Sequence, residues 1–196
     1  MGERAIGRRA ATLVAALWLL VSSFALSSLA QDAAVPIALQ IELVGRLLWY
    51  ERGLQKSSER QLRALILERP RDAVSARMAA QLATQLSGAT LGGRQVALAR
   101  VTYESVEQVA RAAQQQRAYL AWFTAGFGEL SGELGRALGA RGVLTISSHG
   151  PDATRGVVLG FELTSGKPRI LLNLNQARAQ KLDFSAQLLR VVKVVP

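Results

Sequence analysis

The chain has 196 residues, 49% of them hydrophobic, with 24 Lys or Arg against 14 Asp or Glu and a formal net charge of +10. It has no cysteine, which excludes disulfides, thiol chemistry and cysteine-bound metals. Its arginines stand scattered among acids, as in Glu59-Arg60 and Glu68-Arg69-Pro70-Arg71-Asp72, with no basic run and no interleaved aromatics; nucleic acid is therefore not the expected partner, and a negatively charged protein face is.

Residues 1–30 read as an export signal. Arg4, Arg8 and Arg9 give a positive start, Ala10 to Leu26 is an apolar run broken by Thr12, Ser22 and Ser23, and Ser28-Leu29-Ala30 offers small residues where a signal peptidase reads. The run approaches the ~20 residues a membrane anchor needs, but the small-x-small triplet followed at once by Gln31-Asp32 favours cleavage between Ala30 and Gln31 by general secretion. Cleavage leaves Gln31 to Pro196 with 21 basic and 13 acidic residues, a net charge of +8. No later stretch is apolar enough to span a membrane, so the processed chain is expected outside the cytoplasm, in the periplasm. A domain of this size buries about 70% of its unfolded surface.

Helical and strand patterns then alternate. Pro36 opens a helix to about Glu51, with the proline in its first turn. Leu62 to Leu67 is a strand, and Asp72 caps a helix over Ala73 to Leu86. Gly92-Gly93 turns into a strand at Val96 to Val101, and Glu104 to Gln115 is helical. Ala118 to Phe123, Glu129 to Leu138 and Gly142 to Ile146 continue as strand, helix, strand. This order predicts a single α/β domain, residues 31–196, with a mostly parallel sheet of about six strands and helices on both faces. Ser147 to Arg155 is a polar loop. Val157 to Leu163 and Arg169 to Leu174 form a C-terminal hairpin through Thr164-Ser165-Gly166-Lys167, with Pro168 at an edge. Gln176 to Lys181 and Ser185 to about Lys193 are helical pieces, Ser185 serving as a cap.

The first helix carries two apolar stripes. Ile37, Ile41, Val44 and Leu48 share one, while Leu39, Leu43, Leu47 and Tyr50 lie roughly opposite. Either a loop or the C-terminal helix covers the second stripe, or it meets a protein, a second copy of the chain or another partner.

Catalytic groups are scarce. The single histidine, in Ser147-Ser148-His149 with Asp152 nearby, offers a remote hydrolase reading, but adjacent loop residues rarely converge on one centre. Glu129 and Glu133 lack further ligands for a metal. Gly126-Phe127-Gly128-Glu129-Leu130-Ser131-Gly132 follows a strand and opens a helix, as a phosphate loop would. Its spacing departs from the dinucleotide fingerprint, and Glu129 would repel phosphate, so these are read as turn glycines. No catalytic residue, cofactor or metal is expected. Ligands of a parallel sheet gather beyond the strands' carboxyl ends, which nominates Tyr103, Phe127, His149 and Arg155 for a small-molecule site, against ordinary loop surface.

From residue 142 the sequence resembles a known family. Val143-Leu144-Thr145-Ile146-Ser147 leads to Arg155-Gly156-Val157-Val158-Leu159-Gly160-Phe161-Glu162-Leu163. The run Arg169-Ile170-Leu171-Leu172-Asn173-Leu174-Asn175-Gln176-Ala177-Arg178 follows, then Phe184-Ser185-Ala186-Gln187-Leu188-Leu189. This succession is similar to the C-terminal half of the YfiR family of exported bacterial proteins, and Trp49-Tyr50-Glu51-Arg52 falls where members carry an aromatic-rich end to the first helix. The resemblance implies a periplasmic α/β domain that regulates rather than catalyses. It would bind and repress the periplasmic sensing domain of a membrane diguanylate cyclase, and so control cyclic-di-GMP and biofilm formation; a membrane histidine kinase is the other partner class. Disulfides take part in the mechanism of described members, and this chain has none to use. Expected contact residues are Leu39, Leu43, Leu47, Trp49, Tyr50 and Arg52, the last three being hot-spot residue types. The alternative is a periplasmic small-molecule-binding protein that needs no partner.

Overall fold

The computed structural model describes residues 34–196; the export-signal reading, with its cut between Ala30 and Gln31, lies outside them. The described elements are α1 (Ile37–Leu47), a 3₁₀ turn (Leu48–Tyr50), α2 (Arg52–Lys56), β1 (Gln61–Glu68), α3 (Ala73–Leu86), β2 (Thr90–Leu91), β3 (Arg94–Thr102), α4 (Val106–Gln115) and β4 (Leu120–Phe123). They continue with α5 (Ser131–Gly139), β5 (Leu144–Ser147), a second 3₁₀ turn (Gly150–Arg155), β6 (Leu159–Thr164), β7 (Lys167–Asn173), α6 (Leu174–Ala179), α7 (Ala186–Leu189) and β8 (Lys193–Val195).

One sheet runs β2-β3-β1-β4-β5-β6-β7-β8. Only β2–β3 and β6–β7 are antiparallel; the other neighbours are parallel. The apolar runs of β1 and β4 are what a sheet covered on both faces requires, and β5 is buried along its whole length with Thr145 and Ser147 among its apolar residues. Successive residues of β1 point to opposite faces. Leu62, Ala64 and Ile66 join Trp122, Ile146, Val44 of α1 and Leu82 of α3 in one core layer. Leu65 and Leu67 join Phe123, Val109 of α4 and Leu134 and Leu138 of α5 in the other.

The mostly parallel α/β domain is as predicted, with eight strands where about six were expected. The additions are the short β2 and the C-terminal β8. Residues 190–193, expected as helix, leave α7 after one turn, and Lys193, Val194 and Val195 pair with Leu171, Leu172 and Asn173. The β-branched run Val191-Val192-Lys193-Val194-Val195 suits a strand better than a helix. Caps follow the chemistry of the termini: Asp72 Oδ1 accepts from the Val74 and Ser75 N–H groups at 2.9 Å each, and Ser105 Oγ accepts from Gln108 N–H at 3.1 Å. Ser185 makes no such side-chain cap.

Both stripes of α1 are occupied. Val44, Leu47 and Leu48 are buried, and Ile37, Leu39, Ile41 and Leu43 pack half-buried against the same core. Leu47 is 2% exposed and so is corrected from contact residue to core. Leu43 borders a groove with Ile170, Val191 and Val192, so the C-terminal segment stands beside the second stripe.

Candidate functional site

Helix α1 stops because the chain tightens at Leu48–Tyr50 and then extends at Glu51, with φ −89° and ψ 109°. The break turns neighbouring side chains in opposite directions. Leu47 and Leu48 go into the core, while Trp49 and Tyr50 remain 59% and 37% exposed. Trp49 lies over the β2–β3 turn, where Gly92 and Gly93 hold φ of +54° and +82°. A Cβ on Gly93 would stand 2.8 Å from the Trp49 ring, so this turn needs glycine for its backbone and for the approach of the indole.

Glu51 points inward and is 1% exposed. Its Oε1 accepts from the Gly53 and Asp183 N–H groups, each at 3.0 Å. Its Oε2 accepts from the Leu54 N–H and, at 2.7 Å, from the Tyr119 hydroxyl. Burial, and then the hydrogen bond to this carboxylate, hold the Tyr119 hydroxyl protonated far above its ordinary range. Backbone bonds join the same segment to the C-terminal region: Arg52 N–H donates to Asp183 O at 2.9 Å, and Ser185 N–H to Tyr50 O at 2.9 Å. The exposed Arg52–Asp183 ion pair, at 3.4 Å, adds little to this.

The far end of α2 is held by Arg94. Its Nε donates to Glu59 O at 2.8 Å, Nη1 to Gly92 O at 3.2 Å, and Nη2 to Ser57 O at 2.8 Å and to Leu54 O. Trp49, Tyr50 and Arg52 thus form an exposed ridge on a framework held at both ends. Beside it lies a groove of about 360 Å³ bordered by Trp49, Arg60, Gly93 and Arg94.

The strand ends are different. The sheet's chain path leaves β1 for β3 and returns to β4 on the other side, and the crevice there is where a ligand would enter. Hydrogen bonds cross it: Ser75 and Thr124 hydroxyls meet at 2.6 Å, Thr124 Oγ1 donates to Leu67 O at 2.8 Å, and Arg69 N–H donates to Ser75 Oγ at 2.7 Å. Phe127 is fully buried, which corrects it from ligand contact to core; it packs with Phe123 at 5.5 Å. Tyr103 is half-buried and meets Phe127 edge-on at 5.9 Å, with the Arg69 guanidinium over both rings. His149 and Arg155 come together on the buried Asp152, with His149 Nδ1 3.3 Å and Arg155 Nη1 3.9 Å from its Oδ1.

Ser147, Asp152 and His149 do converge, in an order that does not suit nucleophilic attack. The buried Ser147 hydroxyl donates to Asp152 Oδ2 at 2.6 Å, while His149 faces the same carboxylate rather than the serine. The buried Ser148 accepts from Trp122 Nε1 at 3.1 Å. The Ser147 hydroxyl thus faces a carboxylate, and the His149 ring makes no hydrogen bond to either hydroxyl, so the order of a nucleophile–histidine–acid triad is not formed. Among the described residues no cluster of His, Asp and Glu could hold a metal.

Sequence reading nominated Trp49, Tyr50 and Arg52 but missed the groups that hold them. Glu51 is not a favoured cap residue, so a second helix start after it gave no signal. Tyr119, Arg94 and Asp183 lie 68, 40 and 132 positions from their partners and only the fold brings them in.

A family model described as YfiR/HmsC-like matches residues 39–193. No curated protein matches the chain. Among solved structures, a conserved domain protein from Vibrio cholerae O1 biovar El Tor is similar with a TM-score of 0.60 at 12% identity, covering 84% of this chain and 61% of that one. A substrate-binding protein with adhesive properties from Clostridium difficile, in its ligand-free, open form, gives a TM-score of 0.55 at 9% identity, covering 82% and 60%. The chain therefore matches about three-fifths of the length of each solved protein, and at these identities the likeness is one of fold.

Proposed function

Because the chain belongs to the YfiR/HmsC-like family, we propose that it is an exported, non-catalytic regulator. It binds the periplasmic sensing domain of a membrane signalling enzyme, a diguanylate cyclase, and represses it. The ridge carries this reading. Trp49, at 59% exposure, and Tyr50 are large aromatics left in solvent on a rigid base, next to Arg52, and these residue types supply most interface hot spots. A net charge of +8 in residues 31–196 draws such a surface towards an acidic partner face. At the strand ends, where a small molecule would sit, Phe127 is buried in the core and the Ser75 and Thr124 hydroxyls bond each other.

The test is genetic and biochemical together. Deleting the gene raises cyclic-di-GMP, the wild-type gene restores repression, and a folded W49A/Y50A variant fails to restore it. Each hot-spot truncation costs about 2 kcal/mol, or roughly thirtyfold in affinity. Capture from envelope extract with the processed chain recovers the cyclase. Recovery of a histidine kinase changes the partner class; unchanged cyclic-di-GMP together with no recovered membrane signalling protein sinks the reading.

A further inference from the structure

We propose that Glu51 and Arg94 are positioning residues for recognition: they touch no partner, but fix Trp49, Tyr50 and Arg52 in the binding arrangement before a partner arrives. This rests on the regulator reading above. The charges of these two groups are answered in an unusual way. Among the described residues neither lies within ion-pair distance of an opposite charge, although Glu51 is 1% exposed and Arg94 is half-buried. Both are satisfied instead by backbone groups and one hydroxyl. Desolvating a charge with no counter-ion in contact is expensive, even with Glu51 and Arg94 bonded to the two ends of one residue, Leu54, and an apolar contact would have held a loop at lower cost. What the arrangement supplies is direction.

The donor count makes that direction specific. Each Glu51 oxygen takes two donors: Gly53 and Asp183 N–H on Oε1, Leu54 N–H and Tyr119 hydroxyl on Oε2. A glutamine has one acceptor oxygen, so Glu51→Gln sets an NH₂ group against two of these donors. Arg94 gives four of its five N–H donors to four carbonyls spread over Leu54 to Gly92. A lysine, with three donors on one atom, cannot span them. The amino end of α2 is thereby fixed to Tyr119, just before β4, and to the C-terminal region, and its carboxyl end to the β2–β3 turn on which Trp49 rests. With both ends fixed, association does not have to order the ridge, and that ordering is a main cost of binding.

Glu51→Gln, Tyr119→Phe and the double variant test this, with W49A/Y50A as reference. Hydrogen exchange and capture of the membrane partner by the full chain are the two readouts. In Glu51→Gln the amides of residues 49–56 and 183–185 exchange faster while those of β1, β4 and β5 stay protected, and partner affinity falls about tenfold. Tyr119→Phe leaves Glu51 with three donors and changes affinity less than threefold. The double variant is milder than the sum, because the Phe removes one donor that would face the new NH₂. If Glu51→Gln unfolds globally, Arg94→Lys carries the same test from the other end of α2. Unchanged capture by loosened variants, while W49A/Y50A loses the partner, overturns the positioning role and leaves the regulator reading standing. Unchanged capture by W49A/Y50A as well overturns both.

Discussion

The Tyr119 hydroxyl reaches Glu51 across 2.7 Å from the residue before β4, and burial with that carboxylate keeps its proton on well beyond the ordinary tyrosine value of 10.0. In the unfolded chain the same group ionises near 10. The folded state therefore binds the extra proton above that pH, so stability is at its full value below pH 10 and drains as pH climbs from there. From this one group the loss is about 1 kcal/mol between pH 10 and pH 11. Tyr119→Phe lowers stability near pH 7, by the lost hydrogen bond, and flattens the alkaline decline relative to wild type. Urea midpoints from pH 8 to pH 11 measure both effects; parallel curves for the two proteins would show that Tyr119 ionises as freely in the fold as outside it. The same residue shows the limit of sequence reading. Tyr119 stands in a predicted strand, as an aromatic should, and nothing local says that its hydroxyl serves a carboxylate 68 positions away.

At the scale of elements, α5 explains one of the three glycines that resembled a phosphate loop, since Gly132 lies in the helix while Gly126 and Gly128 precede it. Gly132, Gly135 and Gly139 recur at helical spacing on one face of it. A Cβ on Gly135 would fall on the Gly156 carbonyl oxygen, and one on Gly132 would stand 2.8 Å from Arg155 O. The helix lies directly on the backbone that leads into β6, and Gln176 Nε2 donates to Gly135 O at 3.0 Å. Backbone cannot give way as a side chain can, so Gly135→Ala costs about 3 kcal/mol, at the upper end for overpacking. Gly88→Ala, at φ +74° with nothing within 4 Å, costs about 1 kcal/mol of backbone strain alone. Chemical denaturation of the pair separates contact from conformation, and equal losses would mean that α5 can lift off its neighbour. The apolar runs of β1 and β4, the Asp72 cap and the β6–β7 hairpin were legible because their signals lie within one element or two consecutive ones. The break after α1 was not, and the β-branched run at Val191–Val195 marked a strand without saying where β8 would pair. Each depends on what another part of the chain places alongside, as Leu171 to Asn173 do for β8.

For the molecule as a whole, the absence of cysteine among 196 residues sets how it can be regulated. The segment that carries Trp49, Tyr50 and Arg52 is tied down by Glu51 and Arg94, whose hydrogen bonds do not depend on redox potential. Its core rests on apolar layers on both faces of one sheet, which packing alone can stabilise at this size. With thiols excluded, a competing partner or a ligand would act by differential affinity, and a change in abundance by mass action. The expected outcome is that thermal midpoint and hydrogen exchange of residues 49–56 are the same in dithiothreitol and in the thiol oxidant diamide. If partner capture changes between those conditions while the chain's own exchange does not, the sensing thiols belong to the partner. A shift in the thermal midpoint of the isolated chain would contradict a redox-blind fold.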